Sequence, residues 1–241
     1  MIDPGDKVLV GVSGGKDSLL LAHALGMYRM LRHQDFKLEA VMLTTGVEKP
    51  DTSEIERFCE ERDIPLRVRH TDLYQILFEI RKEENPCALC AKMRRAMLCD
   101  ACKDVGANKL ALGHHRDDAI ETLLMSLIYE GRLHTFHPKT YMSRSDLTVI
   151  RPLVYMPEKD IIHMQRVLDL PILEYKCPAD GHTTRQEIKD LIKDLTKRWP
   201  SLPDRMLSAL KNEDQYGLWW HDEEIPPKTG GSPVTEPQPT E

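Results

Sequence analysis

The sequence predicts an α/β fold in which a parallel sheet is covered by helices on both of its faces. Apolar runs alternate with helical stripes, and the first apolar run ends in a glycine-rich turn that opens a helix. This alternation is typical of right-handed βαβ units, which build parallel sheets. We expect the α/β fold over residues 1–155, a helical C-terminal part over 156–220, and a disordered tail over 221–241, because the tail has little to bury.

The first predicted strand and helix meet at a glycine turn. Residues 8–12 read Val-Leu-Val-Gly-Val, and β-branched residues in such a run suit a buried strand. Ser13, Gly14 and Gly15 interrupt this run, and the helical pattern begins near Asp17. The spacing of four, three and four residues predicts a core-facing stripe made of Leu20, Ala24, Met27 and Leu31.

The remaining elements are predicted from apolar runs and helical periodicity. We expect strands at 38–44, 66–69, 109–112 and 149–151. We expect helices at 51–63, 73–80, 87–106 and 117–129, the last of which should bury Ile120, Leu123, Leu124, Leu127 and Ile128. The C-terminal helices should bury Ile161, Ile162, Val167, Leu168, Ile188, Leu191, Ile192 and Leu195. The glycine breaks after the first and fourth strands fall at the carboxyl edge of the sheet, where α/β proteins bind ligands.

Composition limits the classes of function. A net charge of -6 over 241 residues argues against a generally basic nucleic-acid binder, although it leaves room for a local basic face. The chain contains neither a cleavable signal nor an apolar run long enough to span a bilayer, so we expect a soluble, cytoplasmic protein. Four of the six cysteines fall within sixteen residues, which favours metal or redox chemistry over a secreted disulfide framework.

Residues 13–18, Ser-Gly-Gly-Lys-Asp-Ser, form a candidate phosphate-binding loop. Glycines let the backbone approach a phosphate, and the N–H groups and dipole of the helix N-terminus favour negative charge. Lys16 adds a positive charge, while Ser13 and Ser18 add hydroxyl donors. The spacing matches neither the Walker P-loop nor the Gly-x-Gly-x-x-Gly fingerprint, and an ordinary glycine turn is the alternative interpretation.

The second motif is Gly-His-His-Arg-Asp-Asp at residues 113–118. Its histidines and aspartates could bind zinc, although adjacent residues rarely all point inward together. Asp117 or Asp118 could instead cap the helix that follows. A carboxylate here could also hold Mg²⁺ against a triphosphate or take part in proton transfer. We favour Asp118 for this role, with Asp117 behind it as a cap or a Mg²⁺ ligand.

The third constellation is a pair of cysteines at Cys-x-x-Cys spacing, Cys87 and Cys90, with Cys177 much later in the chain. Three cysteine ligands on a [4Fe–4S] cluster leave one iron open for a small ligand such as sulfide. A zinc site with Cys99 and Cys102 and a redox disulfide are the alternatives. A helix would hold the two pairs about 18 Å apart, so we expect Cys99 and Cys102 to be buried thiols.

Together these motifs resemble the PP-loop ATP pyrophosphatases, and within them the TtcA-like family of tRNA 2-thiocytidine synthetases. The basic run Cys-Ala-Lys-Met-Arg-Arg at 90–95 and Ile-Arg-Pro-Leu at 150–153 add to the resemblance, which extends from about Val8 to Cys177. It implies a Rossmann-like fold of the adenine-nucleotide alpha hydrolase type. It also implies that ATP and Mg²⁺ activate the C2 oxygen of a tRNA cytidine in the anticodon loop, which sulfur then replaces, with release of AMP and pyrophosphate.

The resemblance implies a role for each matching residue. The implied catalytic residues are Lys16, Asp17 and Asp118. The implied ATP-binding residues are Gly11, Val12, Ser13, Gly14, Gly15, Lys16, Asp17, Ser18, Leu43, Arg94, Gly113 and His114. The implied metal ligands are Cys87, Cys90 and Cys177 for the [4Fe–4S] cluster, and Asp117 and Asp118 for Mg²⁺.

The implied partners are tRNA, a sulfur donor (a cysteine desulfurase or sulfide) and a second copy of the chain. Cations that could contact RNA occur near the cysteines, after the 117–129 helix, and in the C-terminal part; they are Lys92, Arg94, Arg95, Arg132, Lys139, Arg144, Lys193, Lys197, Arg198 and Arg205. Two other functions stay open. The same chemistry could act on another tRNA base or a small molecule, or the chain could be a non-catalytic ATP- and metal-binding module.

Overall fold

A computed structural model describes residues 1–33, 35–44, 46, 50–83, 86–173 and 184–212. Within these ranges the strands are β1 (Lys7–Val12), β2 (Lys37–Leu43), β3 (Leu66–Arg69), β4 (Lys109–Ala111), β5 (Lys139–Met142) and β6 (Leu147–Ile150). The helices are α1 (Lys16–Leu31), α2 (Ser53–Glu60), α3 (Pro86–Val105), α4 (Arg116–Glu130), α5 (Glu158–Val167), α6 (Thr184–Arg198) and α7 (Leu202–Lys211), with a π-helical turn at Gln75–Ile80. The predicted α/β class is confirmed.

One six-stranded sheet organises the chain, in the order β3-β2-β1-β4-β6-β5. The first five of these strands are parallel, and Val10 at the centre lies opposite Ala40 of β2 and Ala111 of β4. The last strand, β5, runs antiparallel to β6 and was not predicted. It is a four-residue edge strand with exposed Lys139 and Tyr141, so it lacks the apolar run that identifies the buried strands.

The sheet separates two apolar layers. Val8, Val10 and Val12 point to the layer that also contains residues of α1, α2 and α5. Leu9 points to the opposite layer, where it packs with Cys99 and other residues of α3. This alternation of side chains across each strand buries both faces of the sheet, which explains the nearly continuous apolar runs in the sequence.

The core-facing side of α1 differs from the predicted stripe. Leu20 is buried, but Leu31 is 65% exposed, so its predicted burial is wrong. Leu21 and Leu25 instead lie in the core. The sequence Leu-Leu-Leu at 19–21 offers more than one apolar face, and the position of the neighbouring strands decides which face is buried.

The C-terminal half of α4 is more exposed than its sequence predicts. Ile120 is buried, but Leu127 and Ile128 are 46% and 51% exposed, so their predicted burial is wrong. The buried residues of α4 lie mainly in the first half of the helix. Val167 and Leu191, predicted as core residues of later helices, are also exposed.

Two predictions concern regions outside the described residues, namely the third cysteine, Cys177, and the disordered tail at 221–241. The division of the chain at residue 155 stays a prediction, and Ile161 of α5 belongs to the same core as α1. In the described part of the chain, every helix is too short or too polar to cross a membrane.

The corrected orientation of α1 predicts unequal effects of two leucine truncations in one helix. Leu21→Ala should lower the free energy of unfolding by about 2–5 kcal/mol, because it leaves a cavity at a fully buried position. Leu31→Ala should change it by less than about 0.5 kcal/mol. Urea unfolding followed by circular dichroism measures both values, and equal losses would contradict this orientation.

Candidate active site

The loop between β1 and α1 is held by its two serines. The Ser13 amide donates a hydrogen bond to Ser18 Oγ at 3.0 Å, and Ser18 Oγ donates to the Gly15 carbonyl at 2.9 Å. The two hydroxyl oxygens are 3.1 Å apart. Helix α1 begins after Gly15 without a side-chain cap, so the N–H groups of its first turn are available to an anion.

Gly14 allows the C-terminal part of the chain to pass over this loop. Its φ of +83° lies in the left-handed region, and its carbonyl accepts a 3.0 Å hydrogen bond from the Leu173 amide. A Cβ at position 14 would lie 2.9 Å from the Cβ of Leu173. A side chain here would therefore strain the backbone and displace residue 173.

The second motif contacts the first through Gly113. A Cβ at this position would lie 2.9 Å from the carbonyl carbon of Asp17 and 3.0 Å from the Ser18 amide nitrogen. Such a short approach to backbone atoms is possible only for glycine. Gly113 therefore brings the end of β4 against the first turn of α1.

A cavity of about 380 Å³ opens where these two motifs meet α3. Residues that the sequence predicted as ATP-binding or catalytic form most of its wall: Gly11, Val12, Ser13, Asp17, Ser18, Leu43, Arg94, Gly113, His114 and Asp118. Four further residues line the cavity: Arg95, which the sequence analysis named as a candidate RNA contact, and Ala91, Leu98 and Leu112, to which it assigned no role. Gly14, Gly15 and Lys16 belong to the loop but do not line this cavity. The binding roles of all these residues stay predictions.

Lys16 lies between two carboxylates. Its Nζ is 3.3 Å from Asp17 Oδ1 and 3.1 Å from Glu158 Oε1. Burial alone would lower the pKa of Lys16, but Asp17 and Glu158 outweigh this effect and raise it. Lys16 is therefore a fixed positive charge at the start of α1.

Glu158 joins Lys16 to the C-terminal helix α6. Its Oε2 is 2.7 Å from Lys189 Nζ, while its Oε1 contacts Lys16. Burial opposes the charged form of Glu158, but Lys189 and Lys16 outweigh burial and lower the pKa of Glu158 to about 2. The carboxylate remains ionised at neutral pH and forms ion pairs with two lysines at once.

Asp117 and Asp118 of the second motif accept hydrogen bonds from backbone amides at the starts of two different helices. His115 caps α4 together with Asp118: the Asp118 amide donates to His115 Nδ1 at 3.4 Å, and the His115 amide donates to Asp118 Oδ2 at 3.0 Å. Asp117 Oδ2 accepts a 2.8 Å hydrogen bond from the Glu158 amide at the start of α5. Asp118 lines the cavity and Asp117 does not.

Asp17 and Asp118 present the carboxylates of the cavity. Asp17 Oδ1 is buried and accepts no hydrogen bond among the described residues, although Lys16 Nζ lies 3.3 Å from it. His115 Nε2 lies 3.7 Å from this oxygen and 3.5 Å from Asp118 Oδ2, so one imidazole lies close to both carboxylates. An unsatisfied carboxylate oxygen next to a second carboxylate suits a hard cation such as Mg²⁺, which usually takes one or two carboxylates plus substrate phosphates.

His114 is held as a neutral hydrogen-bond donor. Its Nδ1 accepts a 3.2 Å hydrogen bond from Arg151 Nε, and its ring lies 4.9 Å from that of Phe136. Burial lowers the pKa of His114 to about 4, although Asp118 opposes the shift. Because Nδ1 is an acceptor, we assign the proton to Nε2, which leaves that nitrogen able to donate a hydrogen bond.

The two cysteine pairs of α3 have different surroundings. Cys87 is exposed in the first turn, whereas Cys99 and Cys102 are buried against the sheet, as predicted. Burial, with a smaller effect of Cys99, raises the pKa of the Cys102 thiol to about 12. In the residues that the structure covers, no three His, Cys, Asp or Glu side chains converge on one point, so the two pairs do not form a zinc site. Cys177 lies outside the described residues.

The first cysteine pair lies on the helix that forms a wall of the cavity. Cys87 and Cys90 precede Ala91 and Arg94 by about one turn of α3, and Leu98 follows one turn later. Positions 87, 91, 94 and 98 share one helix face because of the 3.6-residue period. The exposed Cys87 and the partly buried Cys90 therefore lie at one end of the cavity-lining helix.

Sequence analysis missed several residues that support this site. Arg185 Nη1 lies 3.4 Å from Asp118 Oδ1 and 2.9 Å from the buried Glu121 Oε2. Arg185 and Glu158 belong to none of the sequence motifs, so nothing in the sequence indicates that either residue lies close to the loop. Arg151, in contrast, belongs to the Ile-Arg-Pro-Leu segment, and that segment could have identified it.

The contact at Gly113 predicts a specific loss of nucleotide binding. Gly113→Ala should displace the first turn of α1 and weaken ATP binding by about tenfold or more, because the added Cβ overlaps backbone atoms. Gly106→Ala is a suitable control, since a Cβ there meets open space even though the left-handed φ of +67° carries a cost in stability. Calorimetric titration with ATP distinguishes the two, and unchanged affinity in Gly113→Ala would refute the role of this contact.

Comparison with known proteins agrees with this geometry. The PP-loop domain family matches residues 3–195. A tRNA-cytidine(32) 2-sulfurtransferase from Coxiella burnetii is 36% identical over 92% of this chain and 88% of its own length. Another with this name, from Neisseria meningitidis, is 36% identical over 88% of this chain and 67% of its own length.

A solved structure extends the comparison to three dimensions. The U34-tRNA thiolase NcsA from Methanococcus maripaludis, with its [4Fe-4S] cluster, superposes with a TM-score of 0.71 at 28% identity, over 87% of this chain and 72% of that one. The chain belongs to the PP-loop family and, within it, to the tRNA-cytidine 2-sulfurtransferases.

Proposed function

We propose that this ATP-dependent tRNA thiolation enzyme acts on cytidine 32, whose C2 oxygen it replaces with sulfur. The names of the relatives from Coxiella and Neisseria support this choice of base. The observation that carries the proposal is the position of Cys87 and Cys90 on α3, next to the wall of the cavity. Activation of the base by ATP and delivery of sulfur can then occur at one place.

ATP would bind along the glycine loop. Its phosphates would contact the N–H groups at the start of α1 and the hydroxyls of Ser13 and Ser18, and Arg94 adds charge from α3. Adenosine would lie against Gly11, Val12 and Leu43. Asp17 and Asp118 would hold Mg²⁺ against the phosphates, since Asp17 Oδ1 accepts no hydrogen bond among the described residues and has an ion-pair contact with Lys16.

The first step forms an adenylated base. The C2 oxygen of the cytidine attacks the α-phosphorus of ATP, the bond between the α-phosphorus and its bridging oxygen breaks, and pyrophosphate leaves. Lys16 stabilises the negative charge that develops on the phosphates, and His114 can donate a hydrogen bond from Nε2. When Lys16 turns to a phosphate, Lys189 still neutralises Glu158, so the exchange leaves no unpaired buried carboxylate.

The residues at the end of the cavity suit an iron–sulfur cluster. Cys87 and Cys90 offer two thiolates one helical turn apart beside the cavity, and Cys177 would be the third ligand. Such a cluster supplies an open iron that can hold sulfide. The chain's own contribution is to leave Cys87 exposed and Cys90 partly exposed, whereas it buries Cys99 and Cys102.

The second step transfers sulfur to the base. Sulfide attacks C2, a C–S bond forms, the C2–O bond breaks, and AMP leaves with the former base oxygen. Because sulfide is already fully reduced, the exchange needs neither an oxidant nor a reductant.

We further propose sulfide or a cysteine desulfurase as the sulfur source, a homodimer as the assembly, and the cytoplasm as the location.

Another tRNA base is the second candidate acceptor, because the similar structure from Methanococcus is a U34-tRNA thiolase. Mass spectrometry of nucleosides from tRNA incubated with ATP and sulfide distinguishes the two candidates. Formation of 2-thiocytidine supports the proposal if this product is lost when cytidine 32 of the tRNA is replaced by uridine. Formation of thiouridine without thiocytidine would instead identify the other tRNA base as the acceptor.

Two substitutions should separate nucleotide binding from sulfur transfer. Lys16→Ala should weaken ATP binding by about tenfold or more, because a charge-assisted contact to phosphate is lost. Cys87→Ala should reduce thiolation by about 100-fold and leave the ATP dissociation constant within about twofold. Calorimetry with ATP and nucleoside mass spectrometry measure the two properties.

The iron content of anaerobically purified protein tests the metal ligands. About four irons and four sulfides per chain, lost in Cys87→Ala and retained in Cys99→Ala, would support the three-cysteine cluster. Bound zinc without iron would overturn it. Equal loss of iron and of ATP binding in Lys16→Ala and Cys87→Ala would contradict separate roles for the two sites.

A further inference from the structure

A second cleft lies between α4, α5 and α6, beside the glycine loop. Its volume is about 480 Å³, and Asp117 and Glu158 line it on the side toward the cavity. Glu158 also contacts Lys16, so this cleft adjoins the loop through one carboxylate. Its cationic lining residues are Arg116, Lys159, Lys189, Lys193 and Lys197.

Helix α6 presents its lysines to this cleft along one face. Lys189, Lys193 and Lys197 follow each other at four-residue spacing and all line the cleft. Two carboxylates of α6 accept hydrogen bonds from residues that do not line the cleft: Glu187 accepts one from the Tyr129 hydroxyl of α4, and Asp190 accepts one from Gln186 of α6 itself. The lysine-bearing face of α6 is therefore positively charged.

The carboxylates of the cleft are already neutralised. Asp117 pairs with Arg116 at 3.3 Å, Glu121 with Arg185 at 2.9 Å, and Glu158 with two lysines. Two other cleft cations, Lys159 and Lys193, have no carboxylate within ion-pairing distance in the described ranges. The Lys197–Asp194 pair is exposed on both sides and contributes little.

Arg116 supplies an independent observation at the same place. Its Nη1 donates to Asp204 at 2.8 Å and its Nη2 to Asp117 at 3.3 Å. Its Nε is buried and has no hydrogen-bond partner in the described part of the chain. A buried donor without an acceptor is costly, and Arg116 lines the cleft, so an anionic oxygen that reached this nitrogen would relieve the cost.

We infer that this cleft binds backbone phosphates of the tRNA while the target base lies in the neighbouring cavity. Lys189 to Lys197 span about 12 Å of helix, a length that suits successive phosphates better than a single small anion. The inference rests on the proposed function, since it assumes tRNA as the substrate. The lysines of this cleft form a local basic surface on a protein of net charge -6.

The salt dependence of tRNA binding tests this inference. In Lys159→Ala/Lys193→Ala, the slope of log affinity against log salt should fall by about two, one for each phosphate contact, between about 50 and 200 mM salt. The double variant should bind tRNA about tenfold more weakly and keep its ATP affinity. Because both lysines are exposed, the thermal unfolding midpoint should stay unchanged.

A matched double variant controls for net charge. Lys37→Ala/Lys103→Ala removes the same charge at exposed positions of β2 and α3 outside the cleft, and should keep the wild-type slope. Equal slopes in both double variants and the wild type would overturn the inference. Weaker binding of pyrophosphate with unchanged binding of tRNA would also overturn it, in favour of a small-anion site. Failure of the proposed function is distinguishable, since the wild type would then bind tRNA without thiolating it.

Discussion

The close contact between Gly113 and the first turn of α1 is the constraint on which the site depends. It brings the ends of β1 and β4, which are neighbours in the sheet, into backbone contact with no side chain between them. Asp17 and Asp118 then lie close to one imidazole, although they are far apart in the chain. The carboxyl edge of a parallel sheet favours such convergence, because two loops and two helix N-termini meet there.

Ion pairs attach the C-terminal helix α6 to this centre. Lys189 reaches Lys16 through Glu158, and Arg185 joins Asp118 to the buried Glu121. Removing one member of such a network leaves a half-buried charge uncompensated, so the geometry is strongly specified. The same helix presents further lysines to the outer cleft, so the cleft and the glycine loop are connected through α6 and Glu158.

Helix α3 shows how burial divides one residue type between two roles. Cys87 is exposed beside the cavity, whereas burial raises the pKa of Cys102 to about 12 and keeps its thiol protonated. Thiolates bind metals and protonated thiols pack as small apolar groups. The sequence contains two similar Cys-x-x-Cys pairs, and their position relative to the sheet gives them different surroundings.

The sequence by itself determined the parallel α/β class, the glycine loop and the start of a helix after the second motif, because these features depend on local patterns. It favoured Asp117 as the cap or a Mg²⁺ ligand, whereas the structure gives the cap of α4 to His115 and Asp118. Tertiary structure alone decided that Leu31 is exposed, that an edge strand covers β6, and that Glu158 and Arg185 reach the site. These last features depend on how separate elements pack, and residues distant in the chain carry no local signal of their contact. Short polar edge strands and long-range ion pairs were therefore invisible to periodicity, whereas buried strands and helix starts were not.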